Sequence, residues 1–116
     1  MDERLENALE FANYRITLGN QKRTIRQRMT VLTTVQYKAG VFHANPTTIS
    51  FVKALVDAGK TKAIVLDTKD NPIEIEDLNE FLDTLLSAYT EATNEYKVQL
   101  DKVKKARNIK SLMDWW

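Results

Sequence analysis

The chain has no cysteine, a single histidine, three glycines and two prolines in 116 residues. Without cysteine there is no disulfide framework, no thiolate zinc site and no thiol nucleophile, a composition suited to a reducing cytosol. The lone imidazole, His43, has no second His or Cys with which to share a metal. Alternation in a predicted strand sets it on the face opposite Phe42, towards solvent. No glycine-rich loop follows a predicted strand, so neither a dinucleotide fingerprint nor a P-loop is present. Ser50, Ser87 and Ser111 sit in helical patterns rather than on a nucleophile elbow. No run approaches about 18 apolar residues, and the chain is charged from Asp2 onwards, so neither a membrane span nor a signal peptide is expected and a cytoplasmic location is. An excess of one charge is missing too. Lys and Arg number 17 against 16 Asp and Glu, a net +1, which gives no whole-molecule field drawing the chain to DNA or to an anionic membrane. These absences argue against an enzyme, a cofactor, a metal centre or a small-molecule substrate, and the length fits a single domain over residues 1–116.

What is present is helical periodicity. From Asp2 to Lys38 there is no Pro and only Gly19, and Phe11, Leu18, Ile25 and Leu32 fall seven apart with Ala8, Ala12 and Met29 beside them. That is the stripe of a helix facing another helix. Gly19 and the polar residues Asn20 to Thr24 interrupt it, which favours a bend or soft point there. Lys38-Ala39-Gly40 is expected to end this helix, with Gly40 in the left-handed conformation. A small cap over residues 40–76 should follow. It comprises a short strand at Val41 to Ala44, a helix from Thr48 to Ala58 with Ile49, Phe51, Val52, Leu55 and Val56 as its apolar face and Gly59 as its stop, and a hairpin of Ala63 to Leu66 with Pro72 to Ile75. Asp77 then caps a third helix, with Glu80 at capping-box spacing. In residues 77–108, Leu82, Tyr89, Tyr96 and Val103 form one seven-residue series, and Leu85, Ala92, Gln99 and Ala106 a second, offset by three. The expected class is α+β, predominantly helical: two long antiparallel coiled-coil-like helices with a cap of three short strands and one helix. An apolar tail, 109–116, carries Leu112, Met113, Trp115 and Trp116 as candidate partner-binding residues.

The antiparallel sense comes from charge. Residues 1–10 carry four acids and one base and residues 97–110 six bases and one acid, while residues 15–28 carry five bases and no acid and residues 67–95 nine acids and one base. Helices running in opposite directions, with residue numbers adding to roughly 114 side by side, would set each block against its opposite. An acidic helix start and a basic helix end also suit the macrodipole of each helix taken alone. Such a stalk would span roughly 45 Å at 1.5 Å per residue, with more surface than its core can cover, so self-association or another structural partner is expected.

Two further clusters carry possible chemistry. The acids Asp67, Asp70, Glu74, Glu76 and Asp77 crowd one turn but lack the calcium-loop spacing, and a solvated hairpin is the simpler reading. The bases Lys102, Lys104, Lys105, Arg107 and Lys110, and to a lesser degree Lys22, Arg23, Arg26 and Arg28, suit weak, salt-sensitive contact with nucleic-acid phosphates. Both basic clusters have acidic counterparts in the pairing above, so nucleic acid is a possible but not the favoured partner.

The string Ala8-Leu9-Glu10-Phe11-Ala12-Asn13-Tyr14-Arg15, followed by Asn20-Gln21-Lys22, resembles the prohead core, or internal scaffold, proteins of T4-like bacteriophages. Asp70-Asn71-Pro72-Ile73, Glu91-Ala92-Thr93-Asn94-Glu95-Tyr96 and Lys104-Lys105-Ala106-Arg107 have the same look. The resemblance implies a non-catalytic assembly protein that co-polymerises with other core proteins, in the host cytoplasm or the assembling virion. It also implies cleavage after a Glu preceded two residues earlier by Leu or Ile, a pattern that Leu78-Asn79-Glu80 fits and that composition alone would supply by chance. Set beside this structural reading are a small regulatory or nucleic-acid-binding module using the basic C-terminal helix, and a chaperone or adaptor of helical-hairpin type.

Overall fold

The computed structural model describes residues 2–105. In chain order it comprises α1 (Glu3–Leu32), β1 (Thr34–Tyr37), β2 (Gly40–His43), α2 (Pro46–Asp57), β3 (Ala63–Leu66), β4 (Pro72–Ile75) and α3 (Leu78–Lys105). The chain is thus α+β and mostly helical. It divides into two compact units, one formed by residues 29–94 and the other by the stretches up to Arg28 and from Glu95 onwards.

The unit of residues 29–94 holds two antiparallel hairpins, β1 with β2 and β3 with β4, each its own two-stranded sheet. The first hairpin corrects the sequence expectation, which ran the first helix on to Lys38 and counted three strands rather than four. Helix α1 ends at Leu32, where Thr33 and Thr34 turn their hydroxyls back on its last carbonyls. Thr33 Oγ1 donates to the Met29 carbonyl at 2.9 Å, beside the Thr33 amide at 3.0 Å, and Thr34 Oγ1 to the Thr30 carbonyl at 2.8 Å, so the last carbonyls of the helix have partners. From there burial alternates, with Val35 inside and Thr34 and Gln36 outside, as a half-buried strand requires. Val35 pairs with Phe42 and Tyr37 with Gly40 across a two-residue turn, Lys38-Ala39, in which Lys38 takes φ 55°.

Gly40 therefore does not close a helix in the left-handed region. It opens β2, and its missing side chain serves a close approach: a Cβ there would lie 2.7 Å from Ile73 Cγ1 and 2.9 Å from Phe42 Cε2. Since Phe42 is locked in the core, Gly40→Ala is expected to destabilise by about 1–3 kcal/mol through overpacking. The midpoint of urea unfolding, with its slope unchanged, is the measurement; an unaltered midpoint would mean the site relaxes freely.

The remaining boundaries follow local chemistry. The Asn45 side chain accepts from the Thr48 amide at 2.8 Å and Pro46 occupies the first turn of α2, both favoured at a helix start. At the other end the Gly59 amide reaches the Val56 carbonyl at 2.9 Å, the Lys60 amide reaches the Leu55 carbonyl at 3.0 Å, and Gly59 takes φ 83°. That is the paired closure made by a glycine just past a helix. Asp77 Oδ1 accepts from the Glu80 amide at 3.1 Å to start α3.

The core of this unit gathers Val35, Phe42, Ala44, Val52, Val65, Ile75, Leu78, Phe81, Leu82 and Leu85. Phe81 lies at its aromatic centre, 4.8 Å ring to ring from both Tyr37 and Phe42. Phe51, expected on the buried face of α2, is instead exposed, as are Ile64 and Leu66 of β3; only Val52 of α2 is fully inside.

In the other unit, Asp2 caps α1, its Oδ1 accepting from the Arg4 amide at 3.1 Å. Helix α1 runs through Gly19 without a break. Ile25 of α1 and Val103 of α3 are buried in one cluster with Tyr14, Leu18 and Tyr96, and Arg28 Nε lies 3.4 Å from Glu95 Oε1.

Candidate interaction surfaces

The ten residues expected to form one helix seam divide between the two units. Leu82 and Leu85, with Tyr89 packed against them, belong to the core of residues 29–94, among the hairpins and α2. Leu32, also in that unit, is half-buried. Leu18, Ile25, Tyr96 and Val103 form the cluster of the other unit, and Ala92 is fully buried. Phe11 departs from the expectation. Its ring is 62% exposed, with the Arg15 guanidinium 6.0 Å from its centroid, so it contributes nothing to a buried seam.

The expected register also shifts. Arg28 meets Glu95, residue numbers well above the anticipated 114. The first turns of α3, from Leu78 to Tyr89, pack into the core of residues 29–94 instead. Of the opposed charge blocks this ion pair is one instance. With Arg28 more than half exposed, it contributes little to stability.

Three charged features were weighed from the sequence. His43 is exposed, as alternation predicted. The turn acids do not act alike: Asp70 and Glu74 are exposed, but Asp67 is buried. Its Oδ1 accepts from the amides of Lys69 and Asn71, each at 2.9 Å, and its Oδ2 from the Val41 amide at 3.3 Å. The Thr68 amide donates in return to the Val41 carbonyl at 2.9 Å. Asp67 thus closes the β3–β4 turn and fastens it to β2. The Asn71 amide first, then those of Lys69 and Val41, hold its carboxyl below the usual aspartate range, against an opposing effect of burial. A lowered folded-state pKa stabilises above the unfolded value and is lost as pH falls through the folded one. Asp67→Asn, which puts an amide donor where amide donors converge, is accordingly expected to lower the melting temperature most above about pH 5. The gap to the parent should narrow as pH drops below about 3.9; parallel curves down to pH 2.5 would show that the carboxylate charge is not what holds the turn.

Among the described residues no group of three or more His, Asp or Glu is arranged to hold a metal. Asp77, Glu80, Asp83 and Glu91 line an open groove of about 670 Å³ along α3, with Asn79, Thr84, Ser87 and Ala88 between them. Tyr37 lies near its acidic end. Burial first, then the negative field of Glu80 and Asp77, raises its hydroxyl above the usual tyrosine value.

Of the basic candidates, Lys102, Lys104 and Lys105 stand exposed in the last described turn of α3. One turn earlier Lys97 is engaged by Asp101 at 2.9 Å. Arg107 and Lys110, and the tail residues Leu112, Met113, Trp115 and Trp116, lie outside the described residues. Two features went unread in the sequence. Asp67 was one acid among several in a turn, and Leu5, Leu9 and Ile16 of α1, all about half exposed or more, were passed over because they lie off the seven-residue series. No helix among the described residues is long and apolar enough to cross a membrane. No protein-family model matches the chain, and neither curated proteins nor solved structures yield a match to it.

Proposed function

We propose that this chain is a non-enzymatic structural or assembly protein that works through helix–helix contacts, with a component of a phage head core as the favoured identity. The observation that carries the reading is the apolar surface of α1: in one 30-residue helix, Leu5, Leu9, Phe11 and Ile16 are all exposed. Large apolar side chains repeated along one helix are surface that an association would cover. The antiparallel, coiled-coil-like pairing of α1 with α3 belongs to the same proposal. It is supported by the Arg28–Glu95 ion pair and by the shared burial of Ile25 and Val103. The resemblance of residues 8–15 and 91–96 to phage prohead core proteins supplies the identity.

Light scattering on the full chain across a hundredfold range of concentration tests the reading. A mass above that of one chain, rising with concentration, is expected. One chain per particle throughout, with no co-sedimentation with immature phage heads, would defeat it. A second reading, a weak nucleic-acid-binding module, draws on the exposed run of Lys102, Lys104 and Lys105. It requires retention on DNA or RNA at low salt that falls steeply as salt rises.

A further inference from the structure

The two units are buried very unequally. Residues 29–94 close a core that runs from Val35 through Phe42, Val52 and Ile75 to Phe81 and Leu85. Among the described residues of the other unit, α1 up to Arg28 and α3 from Glu95, only Gln21, Ile25 and Val103 are buried, with Tyr14, Leu18 and Tyr96 partly covered against them. One of those three is an amide. Gln21 is 1% exposed. It stands three positions after Leu18 and four before Ile25, which sets it on their side of the helix. An amide side chain has two donors and two acceptor sites to satisfy, and burying it is less favourable than burying a hydrocarbon of the same length.

We infer that α1 up to Arg28 and α3 from Glu95 form an arm that opens while residues 29–94 stay folded, and that Gln21 keeps the arm easy to open. Local stability follows buried apolar contact, and here it comes from Ile25 and Val103 with an amide in place of a third apolar residue. The Arg28–Glu95 pair, more than half exposed on the arginine side, adds little. Most of the stability of a helix in a protein comes from packing its apolar face, so once Ile25 and Val103 part, both stretches of the arm lose their hold together. Opening uncovers Tyr14, Leu18, Ile25, Tyr96 and Val103, apolar surface that becomes available to another helix. The inference goes beyond the assembly reading and does not depend on it, since the arm opens within one chain whether or not a second is present.

Native-state hydrogen exchange on the full chain, followed amide by amide in low urea, tests it. The amides from Leu18 to Ile25 and from Gln99 to Val103 are expected to be at least about tenfold less protected than those of Phe42, Val52 and Leu85, and to respond less steeply to urea, as a partial opening does. Gln21→Met keeps the length of the side chain and removes its polar atoms. It should slow exchange across the arm about threefold or more and leave Phe42, Val52 and Leu85 at parent rates. Val103→Ala should speed exchange in the arm alone. A single opening shared by both sets of amides, with one urea slope, would overturn the inference, as would loss of protection at Phe42, Val52 and Leu85 in Val103→Ala. Faster exchange of the arm in Gln21→Met would overturn the role given to the amide.

Discussion

Leu85→Asp is expected to unfold most of the chain at 25 °C. Leu85 is fully buried, in the α3 face that packs with Leu78, Phe81 and Leu82 against the hairpins and α2. Removing its side chain alone would cost about 2–5 kcal/mol in lost burial and cavity. A carboxylate in its place has no basic partner in the cluster, and a buried, unpaired charge adds several kcal/mol more or forces the group to take up a proton. Against a total stability of about 5–15 kcal/mol for a domain, that sum consumes most of what is available. The measurement is far-ultraviolet circular dichroism with a thermal scan. The expected result is loss of most helical signal, with partial recovery below about pH 4 as the carboxyl becomes neutral. A cooperative transition at the parent temperature would mean Leu85 is not in a closed core.

Phe81→Ala comes next, at about 3–5 kcal/mol. Phe81 has no exposed surface, and its ring meets Tyr37 at an interplanar angle of 50° and Phe42 at 70°. Tilted and edge-on aromatic contacts each add about 0.5–1.5 kcal/mol beyond burial. Tyr37 and Phe42 sit on the two strands of the first hairpin, so losing the ring removes an aromatic neighbour from both. For a chain of this size about 4 °C of melting temperature corresponds to 1 kcal/mol, which predicts a fall of roughly 12–20 °C. Phe81→Leu, which keeps most of the volume, should recover more than half of it. If the two variants melt alike, cavity formation is not the cause.

How much could be read beforehand differs from element to element. The end of α2 and the start of α3 were legible because single residues carry them: Gly59 past the one and Asp77 before Leu78 each satisfy terminal backbone groups, whereas α2 starts at Pro46, two residues before the Thr48 expected, because Asn45 caps it and Pro46 fits its first turn. Strand β1 was not legible. Leu32 completes a seven-residue series, and no Gly or Pro stands between it and Lys38, so helical periodicity ran on across Thr33 and Thr34. What defeats it is pairing with β2, Val35 opposite Phe42 and Tyr37 opposite Gly40. The only trace of that in the sequence is adjacent β-branched residues followed by the alternation of Val35 and Tyr37. Gly40 was read as a glycine needed for its backbone freedom, whereas its neighbour Ile73, 33 positions on, needs the space. No local pattern records that.

The candidate surface shows the same limit. Of the seven-residue series, Ile25 and Val103 are buried and Phe11 is exposed, because such a series continues on paper past the point where a neighbour in the same chain covers it. It also passed over Leu9 and Ile16, since a search for one stripe per helix discards the apolar residues that fall on the other side. Asp67 could not be distinguished from Asp70 by type or spacing. Only the return of Val41 beside the turn separates the two.

The division of contacts along the chain bears on the order in which a growing polypeptide can finish its parts. Both hairpins, α2 and the first turns of α3 draw only on residues 29–94, and each strand bonds to its immediate successor or predecessor, so this half can be completed as it leaves the ribosome. Residues up to Arg28 are made before that half, yet Ile25 and Arg28 must wait for Val103 and Glu95, which are made after it. For that interval nascent α1 has neither apolar side shielded.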